Sequence, residues 1–322
     1  MPDNSETDAE AYATEWEAIS VGREYASIGD IDGLSGADIR FLGRLGFWPD
    51  YSQRQDVPDG TPYVSDVGKY RSLHFDWSAV QSEMSRDDPL ALTVDYTRIM
   101  MGFLLFNPAP LRIEMIGLGG GSLAKLCYHL LPTAEITVVE IDPDVIALRE
   151  RFLVPPDNQR FRVVVADGAN YVRRLGPAAD VLLVDGFDAD GQPPQLCSSY
   201  FYSNCYHRLA PGGLMIVNLW GGDPNNRKYL AKMRRSFGND PLVIATEGDT
   251  NKAIFCRKNL DIDLADAAVA NVATAFPQRQ AQFLTATGRR IQRAIARRSE
   301  RKSPMTAFSD ELKKRCGVKP AR

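Results

Sequence analysis

The chain has 322 residues, of which 44% are hydrophobic and 25% charged. That is the balance of an ordinary globular protein, not of a disordered, collagen-like or disulfide-dense one. The net charge of −3 gives no whole-chain basic field for nucleic acid. The longest apolar run, Ile99 to Phe106, falls far short of the roughly 18 to 20 residues a membrane helix needs.

The chain opens with an acidic arm, residues 1–20, carrying Glu6, Asp8, Glu10, Glu15 and Glu17. It lacks the basic start and apolar core of a secretory signal, so the expected location is cytoplasmic. Residues 21–88 read as a small N-terminal β domain. Its β-prone pieces are Pro62 to Ser65, Tyr70 to Phe75 and Ala79 to Met84, parted by Asp66-Val67-Gly68 and Asp76-Trp77-Ser78. Leu92, Tyr96, Ile99, Met100 and Phe103 recur at helical spacing, which predicts a helix from Leu90 to Asn107, stopped by Pro108 and Pro110.

Strand and helix then alternate. Strands are expected at Arg112–Leu118, Glu135–Glu140, Phe161–Val165, Val181–Val184 and Leu214–Leu219. Helices are expected at Ser122–Leu131, Pro143–Phe152, Ala169–Leu175 and Ser199–Leu209, with further strands at Leu242–Thr246 and Ala253–Arg257. Short, almost wholly apolar strands in such alternation predict an α/β fold, a doubly wound and mostly parallel sheet covered on both faces. This main domain is assigned residues 89–277, and a basic C-terminal tail residues 278–322, read as a solvated helix with a frayed end.

The strongest chemical signal is Ile116-Gly117-Leu118-Gly119-Gly120-Gly121-Ser122, a glycine loop between strand and helix. Gly117, Gly119 and Gly121 let the backbone turn sharply and let a ligand approach without a Cβ in the way. About 20 residues on, the next strand ends at Glu140, where an acid accepts hydrogen bonds from ribose hydroxyls. The third strand ends at Asp167-Gly168, where a carboxylate can accept an exocyclic adenine amine. Glu140 and Asp167 have a plainer alternative role as helix caps. Cys127, Cys197, Cys205, Cys256 and Cys316 form no CxxC pair, and His74, His129 and His207 are isolated, so no metal is expected. Trp220 follows a strand end and is a candidate cleft wall.

Residues about 63 to 257 resemble the spermidine synthase (polyamine aminopropyltransferase) family. The resemblance rests on Leu73 to Asp76 with Val80-Gln81-Ser82, the glycine loop, Val139 to Asp142, Ala166 to Gly168, and Asp185-Gly186-Phe187-Asp188. It implies a class I methyltransferase-like, Rossmann-like domain behind a small β domain. It also implies a transferase in polyamine biosynthesis, with decarboxylated S-adenosylmethionine as co-substrate and a small-molecule amine as acceptor, and it allows a homodimer. By the resemblance, Asp185 is the catalytic carboxylate, Asp188 an amine anchor, and Gln81 and Tyr96 further substrate-binding residues. In place of the family's loop acid stands Gly120, and in place of its Y-H-E element Tyr96-Thr97-Arg98.

Those departures keep two alternatives open. One is a methyltransferase using S-adenosylmethionine, with Gly120 leaving room near the donor tail and Arg98 pairing with the methionine carboxylate. The other is a non-catalytic nucleoside-binding protein. The direction of Arg98 relative to Asp185 bears on the choice.

Overall fold

The computed structural model describes residues 61–75, 80–187, 191–246 and 250–315, with side chains to residue 300 except Ala273. The acidic arm, most of the expected β domain, Trp77 and Asp188 lie outside them.

Tyr63–Val67 (β1), Tyr70–His74 (β2) and Ser82–Ser85 (β3) form an antiparallel sheet in the order β1-β2-β3. Gly68, at φ +53°, makes the β1–β2 turn. His74 has a structural part here: its Nε2 lies 2.9 Å from Ser65 Oγ, and its ring stacks on Tyr63 at 4.9 Å.

The predicted helix from Leu90 to Asn107 is shorter and tighter than its periodicity suggests. It comprises α1, Asp95–Met100, and a 3₁₀ turn, Met101–Leu105. Arg98 Nη1 takes the carbonyls of Leu92 (2.8 Å) and Thr93 (3.2 Å), holding those residues outside the helix.

The large sheet contains β4 (Arg112–Ile116), β5 (Glu135–Glu140), β6 (Phe161–Val165), β7 (Ala179–Val184), β8 (Leu209–Trp220), β9 (Leu242–Ala245) and β10 (Asn251–Arg257). Their order is β6-β5-β4-β7-β8-β10-β9. The first five are parallel, and β10 runs antiparallel to both β8 and β9. The helices are α2 (Ser122–Leu130), α3 (Pro143–Ala147), α4 (Gly168–Tyr171), α5 (Ser199–Arg208), α6 (Asn226–Phe237), α7 (Asp266–Ala275) and α8 (Gln278–Arg315). α3 and α4 are shorter than expected and give way to turns.

Alternating residues of the central strands face opposite layers, as a doubly covered sheet requires. Ile113, Met115, Val181 and Leu183 join one core with Phe103, Leu126 and Leu284. Ile116, Leu182 and Val184 join the other with Phe201, Tyr202 and Met233. Glu114 is the charged exception. Its carboxylate is buried beneath the sheet against Arg208 (2.5 Å) and accepts from the Tyr171 hydroxyl (3.0 Å).

The basic C-terminal helix is docked instead of solvated all round. Leu284 and Ile291 are fully buried, and Arg290 pairs with Asp95 at 3.0 Å. Its exposed face carries Arg289, Arg293 and Arg297.

Candidate active site

The strand order reverses between β4 and β7: the chain passes from β4 outward through β5 and β6, then returns to the other side. Crevices at the carboxyl ends of strands form at such a switch point. A cleft of about 300 Å³ opens there, lined by the tips of β4, β5, β6 and β7, by α1, and by the segment leading into β3.

The β4 tip turns at Gly117, φ +94°, whose N–H donates to Val139 O (2.8 Å). Asp185 N in turn donates to Ile116 O at 2.8 Å, tying the β7 tip to the same place. Gly119 (φ +50°) and Gly121 (φ +65°) complete the turn into α2. Gly121 stands at the N-cap of α2 behind the cleft, where a Cβ would lie 2.4 Å from Val154 Cγ2. Gly120 does not leave open room. A Cβ there would meet Ser82 Oγ at 2.8 Å and Phe152 Cδ1 at 2.9 Å.

Glu140, almost wholly buried, organises the loop instead of capping a helix. Its Oε2 accepts from Leu118 N (2.8 Å), and its Oε1 accepts from Ile141 N (2.8 Å) and Asp142 N (3.0 Å). The cap of α3 is Asp142, which accepts from Asp144 N. Asp167 does cap α4, accepting from Asn170 N at 2.7 Å, and it also lines the cleft. Gly168 fits tightly under the sheet, since a Cβ there would sit 2.4 Å from Ile116 Cγ2.

Asp185 lies across the cleft from this half. Its Oδ1 accepts from Asn218 Nδ2 at 2.8 Å, and it receives a hydrogen bond from the Tyr96 hydroxyl. Burial pushes the carboxyl up from its ordinary range, while the bonds from Asn218 and Tyr96 oppose that shift. Tyr96 is pushed well up by burial and by the adjacent Asp185, so its phenol stays a proton donor at neutral pH.

The structure therefore brings Gln81, Tyr96, Gly117, Gly119, Glu140, Asp167, Gly168 and Asp185 to one cleft. Arg98 does not enter it. Besides the two carbonyls, its guanidinium reaches Asp95 Oδ1 at 3.4 Å, so the expected pairing with a methionine carboxylate is corrected. Sequence reasoning missed Asn218 and Ser82. The signal for Asn218 was a lone polar residue within the apolar run Leu214–Leu219. Among the described residues, no group of three or more His, Cys, Asp or Glu could hold a metal ion.

The strand order and the switch-point cleft define the methyltransferase-like class of α/β folds. A probable spermidine synthase from Corynebacterium glutamicum superposes with a TM-score of 0.57 at 21% identity, covering 68% of this chain and 87% of that one. Human methyltransferase-like protein 13, solved in complex with SAH, superposes with a TM-score of 0.50 at 26% identity, covering 61% and 93%. Residues 94–240 match the spermine/spermidine synthase domain. A polyamine aminopropyltransferase of Chromobacterium violaceum is 40% identical over 192 residues, 59% of this chain and 74% of that protein. The chain belongs to the spermine/spermidine synthase family.

Proposed function

We propose that the protein transfers an aminopropyl group from decarboxylated S-adenosylmethionine to an amine, in the cleft at the β4–β7 switch point. The observation that carries this reading is electrostatic. Glu140, Asp167 and Asp185 line the cleft, and among the described residues no Lys or Arg does. A donor bearing a sulfonium and an ammonium suits such a lining. A methionine carboxylate finds no cation there, since Arg98 is bound elsewhere.

In this reading Glu140 holds the ribose hydroxyls and Asp167 the adenine amine. Gly117, Gly119 and Gly168 give the backbone its close approach, while Gly121, packed against Val154, only completes the turn into α2. Gln81 and Tyr96 border the acceptor, and Asp188 is its second anchor by family resemblance. The segment leading into β3 borders the cleft through Gln81 and Ser82, and residues 89–277 act as the catalytic domain.

The chemistry follows from the two reactants. An amine is protonated at neutral pH and attacks only after losing that proton. Asp185 can hold the ammonium and take or orient the proton. The amine nitrogen then forms a bond to the propyl carbon, the carbon–sulfur bond breaks, and the electron pair stays on sulfur as neutral methylthioadenosine. The remaining task is alignment of nitrogen, carbon and sulfur, a proximity effect.

The similarity to human methyltransferase-like protein 13 favours a second reading, methyl transfer from S-adenosylmethionine. Calorimetric titration with both sulfonium nucleosides, followed by product analysis with putrescine, separates the two. Tight binding of the decarboxylated donor and release of methylthioadenosine are expected. Tight binding of the carboxylated donor alone would reject aminopropyl transfer. Asp185→Asn is expected to keep nucleoside affinity and lose turnover, and undiminished turnover would remove Asp185 from its role.

A further inference from the structure

We propose that Asn251, at the start of β10, is a positioning residue that fixes the proton-acceptor state of Asp185 through the side-chain amide of Asn218. The inference rests on the proposed role of Asp185 and goes beyond it to a residue outside the cleft lining.

Three side chains form a chain of fixed polarity. Asn218 Nδ2 donates to Asp185 Oδ1 at 2.8 Å, and Asn251 Nδ2 donates to Asn218 Oδ1 at 3.0 Å. Asn218 is 1% exposed, so no water replaces a lost partner cheaply. Its amide has one donor end and one acceptor end. With Asn251 supplying an N–H, the acceptor end is occupied and the donor end must face Asp185. Were the amide reversed, its oxygen would face the carboxylate, and Asp185 could be accommodated only in its protonated form.

The backbone of Asn251 is itself held. Its N–H donates to Thr246 Oγ1 (2.9 Å), and its carbonyl accepts from Thr246 N (2.9 Å) and Oγ1 (2.9 Å). A second clamp acts on Asn218, whose backbone carbonyl accepts from Gln192 Nε2 at 2.9 Å. Tyr96, from α1, is the titratable group that bonds Asp185 among the described residues, and it donates. Lys252, beside Asn251, directs its ammonium to the Gly221 carbonyl at 3.1 Å.

Asn251→Asp tests the relay with almost no change of volume. Two carboxylates then compete for the one donor end of Asn218. When the amide turns toward the introduced carboxylate, Asp185 loses a stabilising donor and gains a repulsive oxygen. The acid limb of kcat/KM should move up by about one unit or more. Asn251→Leu, which only removes the donor, should lower kcat with a smaller shift of that limb. A ¹³C titration of the carboxyl groups, with Asp185→Asn assigning the Asp185 signal, gives the same answer without turnover. Thermal melts of both variants confirm that they are folded.

An unmoved acid limb together with an unmoved Asp185 titration in folded Asn251→Asp would overturn the relay. If instead Asp185→Asn stays active, the catalytic assignment fails by itself, and the carboxyl titration still decides whether Asn251 governs Asp185.

Discussion

A Cβ placed on Gly117 would lie 2.0 Å from the carbonyl oxygen of Asp185. The glycine loop and the acidic strand tip are therefore in backbone contact. The two sides of the cleft, that of β4 and that of β7, meet at the switch point with no side chain between them at Gly117. Gly117 also sits at φ +94°, a conformation side chains rarely adopt.

Gly117→Ala should consequently fail twice, by backbone strain and by collision with backbone that cannot rotate away. The expected outcome is a loss of at least ~2 kcal/mol of stability. Any folded fraction should also bind methylthioadenosine more weakly. Urea unfolding and calorimetry check it, and a variant as stable and as tight-binding as the wild type would contradict the contact.

Much of this arrangement is legible in the chain itself. The strands Ile113–Ile116, Glu114 apart, and Val181–Val184 are apolar on both faces and so announce a doubly covered sheet, and the loop and acid spacing points to the switch point. What periodicity could not show was the effect of single polar side chains. Arg98 reads as a cleft cation, yet it directs its donors to Leu92 and Thr93, which also sets where α1 begins. Asn218 reads as one polar residue in a buried strand. Its value lies in a pairing with Asp185, 33 positions away, that no local pattern encodes.

Glu140 serves the loop before it serves any ligand. Its two oxygens take three backbone N–H groups, from Leu118, Ile141 and Asp142. In Glu140→Gln the amide oxygen can keep only one side of that set, and the new NH₂ must face an N–H. The buried mismatch should cost ~1–3 kcal/mol of stability. Nucleoside affinity should fall at least about tenfold, since a factor of ten corresponds to only ~1.4 kcal/mol. Calorimetric titration with methylthioadenosine is the direct check, and unchanged affinity would show that the loop does not depend on this carboxylate.

Asp185 should trade stability for its task. Burial holds its carboxyl above the ordinary range in the folded protein. An acid whose folded pKa is raised takes up a proton more readily when folded, so its burial destabilises the ionised protein. That penalty is fully present above the folded pKa and is relieved as pH falls through it toward the unfolded value of 3.8. Asp185→Asn carries no charge to bury, and the Tyr96 hydroxyl can rotate to accept from the new amide. Its melting temperature at pH 7 should exceed the wild type's while turnover is lost, and the stability difference should shrink on acidification. A variant that melts lower at pH 7 would sink this argument.

Lys125 poses the same question with the opposite charge and no role in the cleft. Its ammonium is buried, donating to Phe152 O at 2.8 Å and Met84 Sδ at 3.0 Å, with no carboxylate as partner among the described residues. Burial pulls its pKa from 10.5 down to about 8. Below pH 8 both folded and unfolded states hold the proton, so the full penalty of burying the charge is in force. As pH rises from 8 toward 10.5 the folded state releases its proton first and the penalty is relieved. Over that window Lys125 should add about 3 kcal/mol of stability. Lys125→Met fills a similar volume without the charge. It should be the more stable protein at pH 7, less about 1 kcal/mol for the lost bond to Phe152 O, and its advantage should vanish by pH 10. Urea unfolding of both proteins at the two pH values isolates Lys125 from the other groups that titrate there. A constant difference between them would mean that the buried amine does not titrate in this range.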